Sequence, residues 1–149
     1  QKVKVTTLDR LIREEGLPNV WKRHQTLART VWATFDAWAA GNPQIGLNVA
    51  SPADRGWSVT AARLGAPHAT RLREWCEAKA GVTLGIGLGM AQATDPAYHG
   101  FLRVGHMGHV NAHMTLGALA VMEAGMAALD IPHGDGALAA AARVVAESA

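Results

Sequence analysis

The chain has 149 residues, enough for one domain with a real core and hardly for two. Hydrophobic residues make up 49% and charged residues 17%, a balance that excludes a disordered chain. The net charge of +2 is dispersed rather than stacked into a run, which gives no case for nucleic acid; the single cysteine, Cys76, excludes an intrachain disulfide and fits a reducing cytoplasm.

Gln1 to Val5 contains no apolar signal core, and a first residue of Gln suggests a processed or incomplete start. Thr6 or Thr7 is placed to cap a short helix running to about Glu15, with Gly16 as its stop. Pro18 suits the first turn of a long helix, about Pro18 to Ala40. Val20, Leu27, Val31, Phe35 and Trp38 step along it at helical spacing, and Gly41-Asn42-Pro43 ends it. Ile45 to Val49 is a short strand candidate. Trp57 to Leu64 is a second, with Trp57, Val59, Ala61 and Arg63 on one side and Ser58, Thr60, Ala62 and Leu64 on the other.

Gly65-Ala66-Pro67 turns the chain into a helix from about His68 to Ala80, with Leu72, Trp75, Cys76 and Lys79 along one face. Thr83 to Leu88 and Phe101 to Val104 read as two more strands around a loop containing Pro96. Asn111 can cap a helix over Ala112 to Leu129. That stretch is apolar nearly all round and is expected to be central; His113, Glu123 and two glycines argue for a buried helix rather than a membrane span. Ala137 to about Glu147 is a last helix. The order predicts an α+β fold: a small three- or four-stranded, mostly antiparallel sheet with helices packed on one face.

Few residues offer chemistry. Arg103 sits just before Gly105 at a probable strand end, where a guanidinium can hold a carboxylate by two parallel hydrogen bonds; an ordinary solvated arginine has the same local pattern. His106, His109 and His113 are spaced three and four apart and would share a face if the helix reached back that far, but Gly105 and Gly108 place His106 in a turn. Structural or cleft-lining roles are the expectation for them, with a metal site as the lesser alternative. Gly85-Ile86-Gly87-Leu88-Gly89 lacks the spacing of a dinucleotide fingerprint and reads as a strand with one thin face, for close packing or for the approach of a ligand or another domain. Cys76 falls on an apolar face and reads as an inert thiol. Most of the five tryptophans are at core spacing, while Trp21 or Trp57 is a candidate to cover a surface that meets another domain.

Longer stretches carry a resemblance. Glu15-Gly16-Leu17-Pro18-Asn19-Val20-Trp21-Lys22-Arg23-His24 is similar to the segment that enters the small domain of class V aminotransferases, the group of alanine–glyoxylate and serine–glyoxylate transaminases. Val59-Thr60-Ala61 resembles the first strand of that domain, and Gly85 to Gly89 its glycine-rich segment. Leu102-Arg103-Val104-Gly105-His106-Met107-Gly108 closely resembles the family's Arg-(Ile/Val)-Gly-His-Met-Gly stretch, although many relatives place Phe directly before the arginine, where this chain has Leu102.

The resemblance covers residues 8 to 149. It implies a fold-type I enzyme, a homodimer, whose large domain binds pyridoxal phosphate through a lysine aldimine. Its small domain supplies an arginine for the substrate α-carboxylate, and Arg103 matches that position. Residues 1–17 would be the lead from a missing large domain, and 18–149 the small domain. None of the four lysines, Lys2, Lys4, Lys22 and Lys79, lies in the family's cofactor motif, so the resemblance implies a chain that lacks its cofactor machinery and is catalytically incomplete. The expected partners are the missing large domain or a second subunit, and a small amino-acid or 2-oxo-acid substrate, with neither nucleic acid nor membrane. A free-standing module that holds small carboxylates through Arg103 is the alternative.

Overall fold

The computed structural model describes residues 8–148. The proposed capping threonines, together with Lys2 and Lys4, lie outside that range. A π-helical turn over Arg10–Glu15 ends at Gly16, whose φ of +81° is available to glycine at little cost. Helix α1, Leu17–Gly41, starts with Pro18 in its first turn and buries Val20, Leu27, Val31, Phe35 and Trp38, the stripe expected from spacing. Phe35 and Trp38 meet edge to face with centroids 5.1 Å apart.

Four strands follow the expected places, two of them much shortened. They are β1 (Gly46–Leu47), β2 (Val59–Arg63), β3 (Gly85–Ile86) and β4 (Phe101–Gly105). They form one sheet in the order β1-β2-β4-β3, every pair antiparallel. Only two residues of each of β1 and β3 pair in the ladder with the neighbouring strand. Helix α2, His68–Ala80, ends at Gly81 with a left-handed φ of +65°. Helix α3, Ala112–Ala128, is capped by Asn111, whose side chain accepts from the Met114 amide. Helix α4, Ala137–Glu147, packs along α1.

One core holds the molecule together. From the sheet, Ala62, Leu102 and Val104, with Leu64 just past β2, turn inward. They meet Val31, Phe35 and Trp38 of α1, Leu72 and Cys76 of α2, Leu119, Met122 and Met126 of α3, and Ala137 and Ala141 of α4. Each large side chain buried there contributes about 1.5–3 kcal/mol. All these sheet residues point to the same side, so the helices cover one face and the other stays open, as the element order predicts. The approach of α1 to the loop before α4 is close: Gly134 N donates to Trp38 O, and a Cβ on Gly41 would strike the Gly134 backbone.

Helix α3 corrects one expectation. It is not central. Thr115, Leu119, Met122, Gly125 and Met126 are buried, while His113, Met114, Gly117, Ala124 and Ala127 face outward. Small side chains made the apolar composition look uniform around the helix, and alanine tolerates either environment. No helix of the described residues is long and apolar enough to cross a membrane. In α2, Lys79 is exposed, off the buried line of Leu72 and Cys76.

Candidate functional site

The open sheet face is built by register. Antiparallel partners share a face, so Gly85, Arg103 and Ala61 form one row, and Arg63, Phe101 and Gly46 another. Arg103, at the middle of β4, is half-buried on this face. Its Nε donates to the carbonyl of Ile86 at 2.8 Å. The carbonyl also accepts from the Leu88 amide at 2.8 Å, in a tight turn about Gly87. No Asp or Glu among the described residues forms an ion pair with Arg103. Its two terminal amino groups are the donors left for a ligand.

Arg63 shares the face but belongs to a different place. Its guanidinium lies over Gly46, where a Cβ would be 3.0 Å from Nη2. Arg103 leans the other way, over β3. The outer strands are three strand spacings apart, about 14 Å, too far for one small ligand to join both groups.

The glycine-rich segment has the thin face expected of it. Gly85 packs against Arg103, and a Cβ on Gly87 would collide with Phe101. Beyond it, Leu88 is 64% exposed beside the Arg103 row.

Immediately after β4 the chain is anchored twice. His106 is fully buried, where desolvation holds its pKa below the ordinary 6.5. Its Nδ1 is 2.9 Å from the Trp57 carbonyl, an acceptor only, so Nδ1 carries the proton. Nε2 is then the acceptor for the Thr60 hydroxyl at 2.8 Å, and Thr60 in turn accepts from Trp32 Nε1 at 3.0 Å. Two residues later, α1 grips Gly108. Its amide donates to His24 Nε2 at 3.0 Å, and its carbonyl accepts from Arg23 Nη1 at 2.9 Å. The same Nη1 reaches Val110 O at 2.6 Å, while Nε and Nη2 fork onto both oxygens of Glu15 at 2.7 and 2.8 Å. Glu15's pKa is lowered, first by its hydrogen bond from Arg23. Between the two anchors, Met107 is pushed outward, 55% exposed.

His106, His109 and His113 therefore do not converge. One is locked in the core and the others are on the surface; no group of three or more His, Cys, Asp or Glu able to hold a metal ion occurs among the described residues. Cys76 is buried, and desolvation pushes its pKa up to about 11. Lys22 and Lys79, the lysines among the described residues, are both exposed. Lys22 lines a cleft of about 380 Å³ with Asn19, Arg23, Thr26 and Val145, which includes no carboxylate to pair with a pyridine nitrogen. These residues do not fit a pyridoxal phosphate site.

The sequence singles out Arg103 as a candidate but shows neither the carbonyl that holds its Nε nor the clamp on Gly108. The Ile86 carbonyl, the Arg23 clamp and the His24 contact join residues 17, 85 and 84 positions apart, which no local pattern reports. The alternating glycines opposite Arg103 were the available signal.

No protein-family model and no curated protein sequence matches the chain. Solved structures do. Ureidoglycine–glyoxylate aminotransferase from Bacillus subtilis is similar over 91% of this chain, with a TM-score of 0.74 and 24% identity. Pyridoxamine–pyruvate aminotransferase from Mesorhizobium loti is similar over 93%, with a TM-score of 0.76 and 26% identity. The chain spans 33% of the length of each. The resemblance read from the sequence is thus met by the structure: the chain is similar to class V aminotransferases and has the α+β fold of their C-terminal domain.

Proposed function

We propose that the chain acts as the small domain of a pyridoxal-phosphate-dependent aminotransferase, in which Arg103 anchors the α-carboxylate of an amino acid or of a small 2-oxo acid such as glyoxylate or pyruvate. The observation that carries this reading is Arg103 itself. It stands on the open sheet face with Nε fixed and both terminal amino groups free of protein partners among the described residues. A planar fork of that kind matches a carboxylate in geometry and charge.

The cofactor, when bound in the complete enzyme, supplies the electron sink for the amino acid's Cα–H bond. It would be held by protein outside these residues, since Lys22 and Lys79 do not fit the task. The contribution of this chain is orientation. A carboxylate held at two points has lost most of its rotational freedom, so the reacting bond can be presented in a fixed direction. On this reading the isolated chain is catalytically incomplete. Its partners would be the large domain and a second subunit. The exposed Trp21, Trp57, Val59, Met107 and Met114 are among the apolar side chains available to meet them.

Calorimetric titration with glyoxylate and pyruvate tests the anchor. Heat that saturates with the wild-type chain and vanishes in Arg103→Ala supports it. No binding, or binding indifferent to Arg103→Ala, removes it.

A further inference from the structure

We infer that Gly85 and Ile86 are positioning residues for Arg103: together they form a docking slot that spends Nε on the protein and presents only the two terminal amino groups, end-on, to a carboxylate. The inference rests on the anchoring role proposed above and says how that role is achieved.

A guanidinium has two edges that can grip a carboxylate, the Nε/Nη edge and the Nη1/Nη2 edge. On a free arginine both compete, and the ligand is held in two orientations. Here the first edge is occupied, because Nε donates to Ile86 O at 2.8 Å. That carbonyl is itself fixed. It belongs to β3, which pairs with β4 through Gly85↔Arg103 and Ile86↔Leu102, and it also accepts from the Leu88 amide at 2.8 Å. The slot exists because residue 85 has no side chain. A Cβ there would lie 3.2 Å from Arg103 Cβ, 3.3 Å from Arg103 O and 3.5 Å from Nε, so an alanine forces the arginine stem off the strand by tenths of an ångström. Orienting a ligand at two points requires that the donors themselves be fixed, which the carbonyl provides and an otherwise mobile arginine does not.

The test is nuclear magnetic resonance on the 149-residue chain, with arginine side-chain Nε–H signals assigned by loss in Arg103→Lys and with pyruvate as the probe. The free protein is expected to show one Arg103 Nε–H signal protected from solvent exchange. Saturating pyruvate should shift the terminal amino signals and leave the Nε–H protected. Gly85→Ala should lose that protection and bind pyruvate about tenfold more weakly, the cost of one charge-assisted hydrogen bond's worth of orientation. Its thermal midpoint should stay close to wild type, which separates positioning from folding. Leu88→Ala, which keeps the backbone amide and the carbonyl, should retain the protected signal.

An unprotected Nε–H in the free chain overturns the slot, and so does a Gly85→Ala variant that binds as tightly as wild type. Pyruvate capturing Nε in place of the carbonyl overturns the end-on geometry. A protected Nε–H with no pyruvate binding at all would show the slot to be real but leave nothing for it to orient; this defeats the anchoring role and the positioning role with it.

Discussion

Thr60 Oγ1 and His106 Nε2 lie 2.8 Å apart in the interior, and the hydroxyl donates to a histidine whose other nitrogen is already committed to the Trp57 carbonyl. Trp32 completes the chain from α1, so β2, α1 and the loop after β4 share one polar network. Every member has a partner, which is the condition under which a buried network stabilises rather than strains a core. Thr60→Val removes the hydroxyl and leaves both the indole N–H and His106 Nε2 unsatisfied. The expected loss is about 2–4 kcal/mol of unfolding free energy, measured by urea denaturation. A change under 0.5 kcal/mol would mean the network is not formed.

The same histidine sets a pH dependence. Desolvation is the main cause lowering its pKa from 6.5, so the unfolded chain binds a proton that the folded chain resists. Stability linked to this site is full above about pH 6.5 and declines as pH falls from there toward the folded-state value. His106→Asn, which cannot titrate, should flatten the fall in urea midpoint between about pH 7 and 5. An unchanged slope in that variant would place the dependence elsewhere.

Arg23 ties three segments together: the turn ending at Glu15, α1, and the carbonyls of Gly108 and Val110. Arg23→Ala should cost about 1–3 kcal/mol, the range for hydrogen bonds to a charged group, trimmed by partial exposure of the ion pair. Arg23→Lys should recover little, because one ammonium cannot satisfy a forked carboxylate and two carbonyls at once. Urea denaturation of the two variants checks the order; a lysine variant as stable as wild type would contradict it.

Cys76 is buried with its pKa pushed up to about 11, so it should resist a thiol reagent at pH 8 in the native state and react at once in denaturant. Fast native labelling would show that α2 opens from the core.

Gly41→Ala should destabilise by about 3 kcal/mol or more, since a Cβ there meets the Gly134 backbone and not a movable side chain. Thermal unfolding reads the effect, and a neutral outcome would mean that α1 and the loop before α4 are not packed as closely as described.

Much of the fold was legible because its signals are local. Pro18, Gly16, Gly81 and Asn111 mark helix ends by rules that need only neighbouring residues, and the alternation from Ser58 to Leu64 assigns the inner face of β2. The exposed side of α3 was not legible, because alanine and glycine carry no preference strong enough to point it. β1 and β3 were drawn too long, since ladder length depends on a partner strand that the local sequence does not contain. Arg103 stands out as a candidate through the stretch that carries the resemblance. Its hold on Ile86 does not, because that bond depends on which strand lies beside β4 and on a missing Cβ at Gly85.

In the proposed function this chain supplies the substrate-anchoring domain of an aminotransferase, and its own lysines do not make the cofactor site. Incubation with pyridoxal phosphate, borohydride reduction and peptide mass mapping tests it most directly. No stoichiometric adduct is expected on any lysine, only scattered surface labelling. One lysine labelled to completion would contradict it and would place a cofactor site within these 149 residues.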